Sequence, residues 1–182
     1  DRGRAITIAR ADVRFHGLLS DDVGTLVRHE EKPLYSFFNA DQIFDFLLSI
    51  GMKPFVELSF MPEALASGGA TVFNYEANVT PPKDYTQWGT LIGKLVSHWV
   101  ERYGAQEVRK WFFEVWNEPN LKAFWTGTQE DYFRLYRHTA EAIKEVDSTL
   151  RIGGPATAKN EWIEEFLDFC EKNNLPADFV TT

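Results

Sequence analysis

Short apolar runs alternate with longer helical patterns along this chain, and that alternation restricts its fold more than any other feature. Five runs read as strands: Val13 to Phe15, Phe55 to Leu58 behind Pro54, Trp111 to Trp116, Leu150 to Ile152 ahead of Gly153-Gly154-Pro155, and Phe179-Val180. The stretches between them place apolar residues three and four apart, the period of a helix with one buried face. Asn39 with Gln42 opens the first, which runs through Ile43, Phe46, Leu47 and Ile50 to Gly51. Asp84 with Gln87 forms a capping signature for the second. Its apolar face is Leu91, Ile92, Leu95, Val96, Trp99, Val100 and Tyr103, and Gly104 is placed to end it. Thr128 with Asp131 opens the third, through Phe133, Leu135, Tyr136, Ile143 and Val146. Asn160 precedes the fourth, through Ile163, Phe166, Leu167 and Cys170.

Strand followed by helix, repeated, is the order of a parallel α/β architecture. The segments after the strands are long and rich in turn residues, as at 17–38 and 60–83, whereas helix-to-strand links are short. In such folds the working face lies at the C-terminal ends of the strands. Five strands cannot close an eight-stranded barrel, so either the sheet is open or the chain is part of a larger barrel. No repeat, linker or low-complexity stretch divides the 182 residues, which read as one domain.

The charge balance excludes several partners. Net charge is −8 and basic residues are not clustered, so nucleic acid and anionic membrane are not expected. Cys170 is the single cysteine, which rules out an internal disulfide and a thiolate zinc cluster. His16, His29, His98 and His138 lack metal-ligand spacing, and no cofactor is implied. There is neither an apolar run of about 18 residues nor a signal-peptide core. A soluble protein is expected, with the cytoplasm favoured. Aromatic residues make up 15% of the chain, more than its core needs, and flat rings suit sugar stacking as well as packing.

The most chemically loaded segment is Trp116-Asn117-Glu118-Pro119-Asn120. Glu118 sits just past an aromatic strand, at the working face. Apolar surroundings desolvate a carboxyl group, raise its pKa and keep a proton available near neutral pH. Glycoside cleavage needs such an acid, because an alkoxide leaves poorly until it is protonated. Asn117 carries an amide that donates and accepts hydrogen bonds to hydroxyls. Pro119 restricts the turn that holds both. On these residues alone, a surface turn capping the next helix is an equally good reading.

Trp111-Phe112-Phe113-Glu114-Val115-Trp116-Asn117-Glu118-Pro119-Asn120-Leu121 resembles the acid/base segment of glycoside hydrolase family 39, the β-xylosidases. Arg14-Phe15-His16-Gly17-Leu18-Leu19-Ser20-Asp21-Asp22, Pro54-Phe55-Val56-Glu57 through Phe60-Met61-Pro62, Asn78 through Tyr85, and Gly153-Gly154-Pro155-Ala156 match the same family in order and spacing. The resemblance implies a (β/α)8 barrel, incomplete here and covering approximately strands two to six. It implies a retaining mechanism with Glu118 as general acid/base and Asn117 on the hydroxyl next to the reacting carbon. His16 becomes a sugar contact or a structural histidine, Phe60 a pocket wall or a packing residue, and Trp125 a subsite floor or a helix cover. Glu57 and Glu114 are expected to lie on buried strands, Glu57 in an ion pair inside the barrel or reaching its mouth, and Asp21 and Asp22 to shape a loop.

The family's nucleophile is a glutamate ending the seventh strand, and no residue here matches its motif. Glu164 and Glu165 fall on a predicted helix with solvent-facing spacing. Gly3 through Asp12 looks like the segment ahead of the first barrel helix, yet it runs straight into Val13. The expectation is therefore a partial catalytic barrel over 1–182, missing a segment near 13 and its C-terminal part. The implied function is release of xylose from the non-reducing ends of β-1,4-xylo-oligosaccharides. Another glycoside specificity of the same family or clan (α-L-iduronidase-like or endo-acting) and an inactive carbohydrate-binding fragment are the alternatives. The isolated chain is expected to be inactive, and its open sheet edge leaves a homo-oligomer possible.

Overall fold

The protein's structure is a computed structural model, and it describes residues 11–30 and 32–182. Of the segment Gly3 through Asp12, residues 3–10 lie outside the described residues. In chain order the elements are β1 (Asp12–Val13), β2 (Leu26–His29), β3 (Lys32–Tyr35), α1 (Phe38–Ser49), β4 (Lys53–Leu58), β5 (Thr71–Val72), β6 (Ala77–Asn78) and α2 (Tyr85–Tyr103). They continue with α3 (Ala105–Val108), β7 (Phe112–Val115), α4 (Gln129–Val146), β8 (Arg151–Pro155), a 3-10 turn at Ala158–Asn160, α5 (Ile163–Lys172) and β9 (Phe179–Thr181).

Five strands form one sheet in the order β1-β4-β7-β8-β9, every neighbouring pair parallel. Sequence order equals spatial order, so the sheet curls as half of a (β/α)8 barrel with its helices outside. The two-residue period of a strand divides the side chains. Val56, Leu58, Phe113 and Ile152 are buried beneath the helices, with Phe113 stacked on Trp99 of α2. Phe55, Phe112 and Phe179 meet on the concave side, ring centroids 5.2 to 5.6 Å apart. Glu57 and Glu114 stand beside each other in register two residues further along each strand. Gly153 permits this closeness, because a Cβ there would lie 2.3 Å from the Phe179 carbonyl oxygen.

Helix starts follow the sequence where a side chain can reach the free N–H groups. Asp84 accepts from the Thr86 N–H at 2.8 Å and caps α2, and Gly104 (φ 84°) ends it. Thr128 and Asp131 form a complete capping box on α4. Two expected caps are corrected. Asn39 lies inside α1, which starts after Phe37 without a side-chain cap, and its amide donates instead to the Val23 carbonyl at 3.0 Å. Asn160 lies in the 3-10 turn, and Trp162 precedes α5.

The buried face of α1 is Ala40, Asp41, Phe44 and Leu47, while Phe46 and Ile50 are exposed. Leu167 on α5 is exposed as well. Of the expected stripe, Leu47 is buried and Ile43 partly so, while the apolar residues of α1 extend beyond its buried face, so periodicity alone misplaces Phe46 and Ile50. The turn-rich segments also contain two antiparallel hairpins, β2-β3 and β5-β6, which the sequence reading leaves as loops. Both hairpins follow strands of the sheet and so stand at its mouth.

Candidate active site

The end of β7 runs into a tight turn that carries Asn117 and Glu118. Trp116 (φ 69°) and Glu118 (φ 44°) both adopt the left-handed region that L residues avoid, so the surroundings must hold them there. Backbone bonds do this from both neighbouring strands. The Trp116 N–H donates to the Leu58 carbonyl at 3.3 Å, and the Glu118 N–H donates to the Ala156 carbonyl at 2.8 Å. The Trp116 indole donates to the Phe124 carbonyl at 2.8 Å. Asn117 is buried and Glu118 is half-buried, its carboxyl held at the mouth of the half-barrel.

Arg14, just past β1, organises the floor. Its Nη1 pairs with Glu57 at 2.8 Å, its Nε with Glu114 at 2.6 Å, and its Nη2 donates to Asn117 Oδ1 at 3.0 Å. One guanidinium thus bridges two adjacent buried carboxylates and also fixes which end of the Asn117 amide it faces. With Oδ1 taken, Nδ2 is the half of Asn117 left to meet a ligand. Burial raises the Glu114 pKa, and Arg14 opposes that rise. The expected burial of both glutamates and the ion pair of Glu57 hold, and Glu114 shares the same cation. No local signal singles out Arg14, although two buried glutamates in register demand a cation, and it lies just past the neighbouring strand.

His16 stands at the same mouth with part of its ring exposed. Its Nδ1 donates to Glu57 at 2.7 Å, and this bond raises the imidazole pKa above its ordinary value. The negative charge of Glu118 pushes in the same direction, which places His16 within electrostatic reach of that carboxyl. Glu57 also accepts from the Ser59 hydroxyl and is fully buried, so it is committed to structure.

Of the two readings of Phe60 and Trp125, the structure favours packing over sugar contact. Phe60 and Trp125 are both 0% exposed, so neither ring face is open to a ligand. Each packs edge-on against Trp116, at 5.5 Å and 4.9 Å, and the Trp125 indole donates to the Thr128 carbonyl. They form the wall behind the turn, because the aromatic residues flanking a buried strand end fill its core before they line its mouth. Phe73 and Tyr75, on the β5-β6 hairpin, are exposed rings at the mouth. Phe73 lies nearly parallel to His16 at 6.2 Å and to Tyr75 at 5.4 Å. No sequence motif marked them, since the hairpin that brings them over was read as a loop.

Asp21 accepts from the Glu63 backbone N–H and shapes its loop, as expected. Glu164 and Glu165 are exposed on the outer helix α5, away from the mouth. Among the described residues, no group of three or more His, Cys, Asp or Glu is placed to hold a metal ion. No helix among them is long and apolar enough to cross a membrane. The site's chemistry is therefore one half-buried carboxyl, an amide donor beside it, an imidazole and an aromatic rim.

Known proteins share this fold and much of this sequence. A beta-xylosidase of Caldicellulosiruptor saccharolyticus is 62% identical over 172 residues, covering 93% of this chain and 35% of that protein. A beta-xylosidase of Geobacillus stearothermophilus is 52% identical over 176 residues, again covering 93% of this chain and 35% of the relative. The crystal structure of a monomeric beta-xylosidase from Caulobacter crescentus CB15 superposes with a TM-score of 0.90 at 46% identity, covering 94% of this chain and 34% of the other. The chain thus spans about a third of the length of the relatives it matches. The family described as glycosyl hydrolases family 39 matches residues 6–182, and the chain belongs to that family.

Proposed function

We propose that this chain supplies the acid/base half of a retaining β-xylosidase, with Glu118 as the proton donor. The observation that carries this reading is the position of Glu118. It is half-buried at the C-terminal end of a barrel strand, beside an asparagine whose amide is oriented by Arg14. Glu118 would protonate the departing glycosidic oxygen, then take a proton from the water that releases the sugar. Asn117 Nδ2 would bind the hydroxyl next to the reacting carbon, and His16 would bind another.

A retaining mechanism needs a second carboxylate about 5–5.5 Å from the first to attack the sugar. Glu57 and Glu114 are held by Arg14 and nearly inaccessible, their side chains 0% and 2% exposed. The nucleophile therefore belongs to barrel strands beyond these five, and residues 1–182 form part of a catalytic domain that also lacks a segment near Val13. The curated relatives, of which this chain spans 35%, support that reading. The substrate class we assign is a β-1,4-xylo-oligosaccharide cleaved at its non-reducing end.

Hydrolysis of nitrophenyl β-xyloside and xylobiose tests the proposal. The 182-residue chain alone should show no turnover. In the enzyme with its complete barrel, Glu118→Ala should lower kcat on xylobiose by about 10²- to 10⁴-fold, the usual contribution of a general acid. Hydrolysis by the isolated chain that Glu118→Ala abolishes would refute the missing nucleophile. A panel on which iduronides or glucosides outpace xylosides would refute the substrate class.

A further inference from the structure

The loop after β8 is held in a conformation its residues do not prefer. Ala156, Lys159, Asn160 and Trp162 all have φ between 53° and 64°, and none is glycine. Such a segment keeps its shape only where its neighbours over-determine it. The neighbour here is the turn that carries Glu118.

Asn120, two residues past Glu118, spends its whole amide on this loop. Its Nδ2 donates to the Ala158 carbonyl at 3.0 Å and to Glu161 Oε2 at 2.8 Å, and its Oδ1 accepts from the Ala158 N–H at 2.9 Å. The side chain thus pairs with both backbone groups of one residue, as a strand would. The Glu118 N–H bonds to the Ala156 carbonyl at 2.8 Å on the same side. Turn and loop are zipped at 118 with 156 and again at 120 with 158. On its far side the loop is tied to β9 and its flank, through the Ala156 N–H to the Thr181 carbonyl at 3.1 Å and the Thr182 hydroxyl to the Thr157 carbonyl at 2.9 Å.

We infer that Asn120 is a positioning residue for Glu118, clasping the Trp116–Asn120 turn to residues 156–161 and so setting the direction of the Glu118 carboxyl. This rests on the reading of Glu118 as acid/base. Without the clasp the turn keeps its bonds to Leu58, Phe124 and Ala156 but loses the side-chain tie that holds it on the C-terminal side of Glu118. The left-handed Glu118 is then free to relax toward ordinary backbone geometry. Proton delivery is sensitive to such a shift, because the acid must lie within hydrogen-bond reach of the departing oxygen.

The test is leaving-group dependence. The xylose expelled from xylobiose would leave as a poor alkoxide and needs the proton, whereas a dinitrophenolate departs without one. In the active enzyme, Asn120→Ala should lower kcat/KM on xylobiose by about tenfold or more and leave kcat/KM on dinitrophenyl β-xyloside, which reports bond cleavage alone, near the native value. Asn120→Asp keeps the acceptor and loses both donors, so it should fall in the same direction and carries the test if Asn120→Ala does not fold. On the 182-residue chain, hydrogen exchange at the Glu118 amide should quicken in either variant while Phe113 and Val115 keep their protection. An equal loss of kcat/KM on both substrates, or unchanged Glu118 exchange, would overturn the positioning role. If Glu118→Ala also fails to distinguish the two substrates, the acid/base reading falls and takes this role with it. If Glu118→Ala distinguishes them and Asn120→Ala does not, the positioning role alone falls.

Discussion

Arg14 is a single side chain whose loss would leave two like charges side by side. Glu57 and Glu114 stand in register on adjacent strands, both buried, and share the guanidinium. Arg14→Met should therefore cost about 3 kcal/mol of stability in urea unfolding, because it leaves buried Glu114 without its charged partner and Glu57 with only His16 and Ser59. A loss below about 1 kcal/mol, typical of exposed ion pairs, would show that water reaches the network. His16 gives a pH-dependent companion. Its pKa is raised above 6.5 mainly by the hydrogen bond to Glu57, so protonated His16 stabilises the fold. That contribution is complete below pH 6.5 and fades as pH rises through the elevated folded-state value. The stability gap between native protein and His16→Gln should narrow over that rise, and a pH-independent gap would contradict the Glu57 pairing. At this scale Glu118 and Asn117 were legible because their motif is contiguous. Arg14 was not, because its partners lie 43 and 100 positions away and nothing local signals them.

Elements were legible where a local device sets their ends. Asp84 and Thr128 are real caps because each precedes a long amphipathic helix and reaches the N–H groups of its first turn. Asn39 and Asn160 carry the same side chain but serve tertiary bonds, to the Val23 carbonyl and with the Thr182 hydroxyl. Thr128→Ala should lower stability by about 1 kcal/mol in thermal or urea unfolding, the usual loss of a capping box. Asn39→Ala should cost less, since it removes one exposed hydrogen bond and no cap. A larger loss at Asn39 than at Thr128 would reverse this assignment. The hairpins β2-β3 and β5-β6 escaped the reading because their strands are four and two residues long, too short for alternation to show. With β5-β6 went Phe73 and Tyr75, exposed rings at the mouth.

The whole molecule is a half-barrel with an aromatic concave face and β9 at one edge of its sheet. Val180 on that strand is 43% exposed, and an uncovered strand edge beside apolar side chains is a template for pairing. The 182-residue chain should therefore self-associate with rising concentration in analytical ultracentrifugation. A strict monomer across the concentration range would show that the face is protected as it stands.

By itself the sequence determined the order of strands and helices, the parallel sheet, and the identity of the turn carrying Asn117 and Glu118. Each of these depends on residues close together in the chain, where periodicity and capping act directly. Only the tertiary structure decided which buried charges share Arg14, why Phe60 and Trp125 stand behind the site instead of in it, and how Asn120 holds residues 156–161. Those outcomes depend on residues that the curl of the sheet brings together from distant strands. Burial and charge neutralisation, which have no local signature, choose among them.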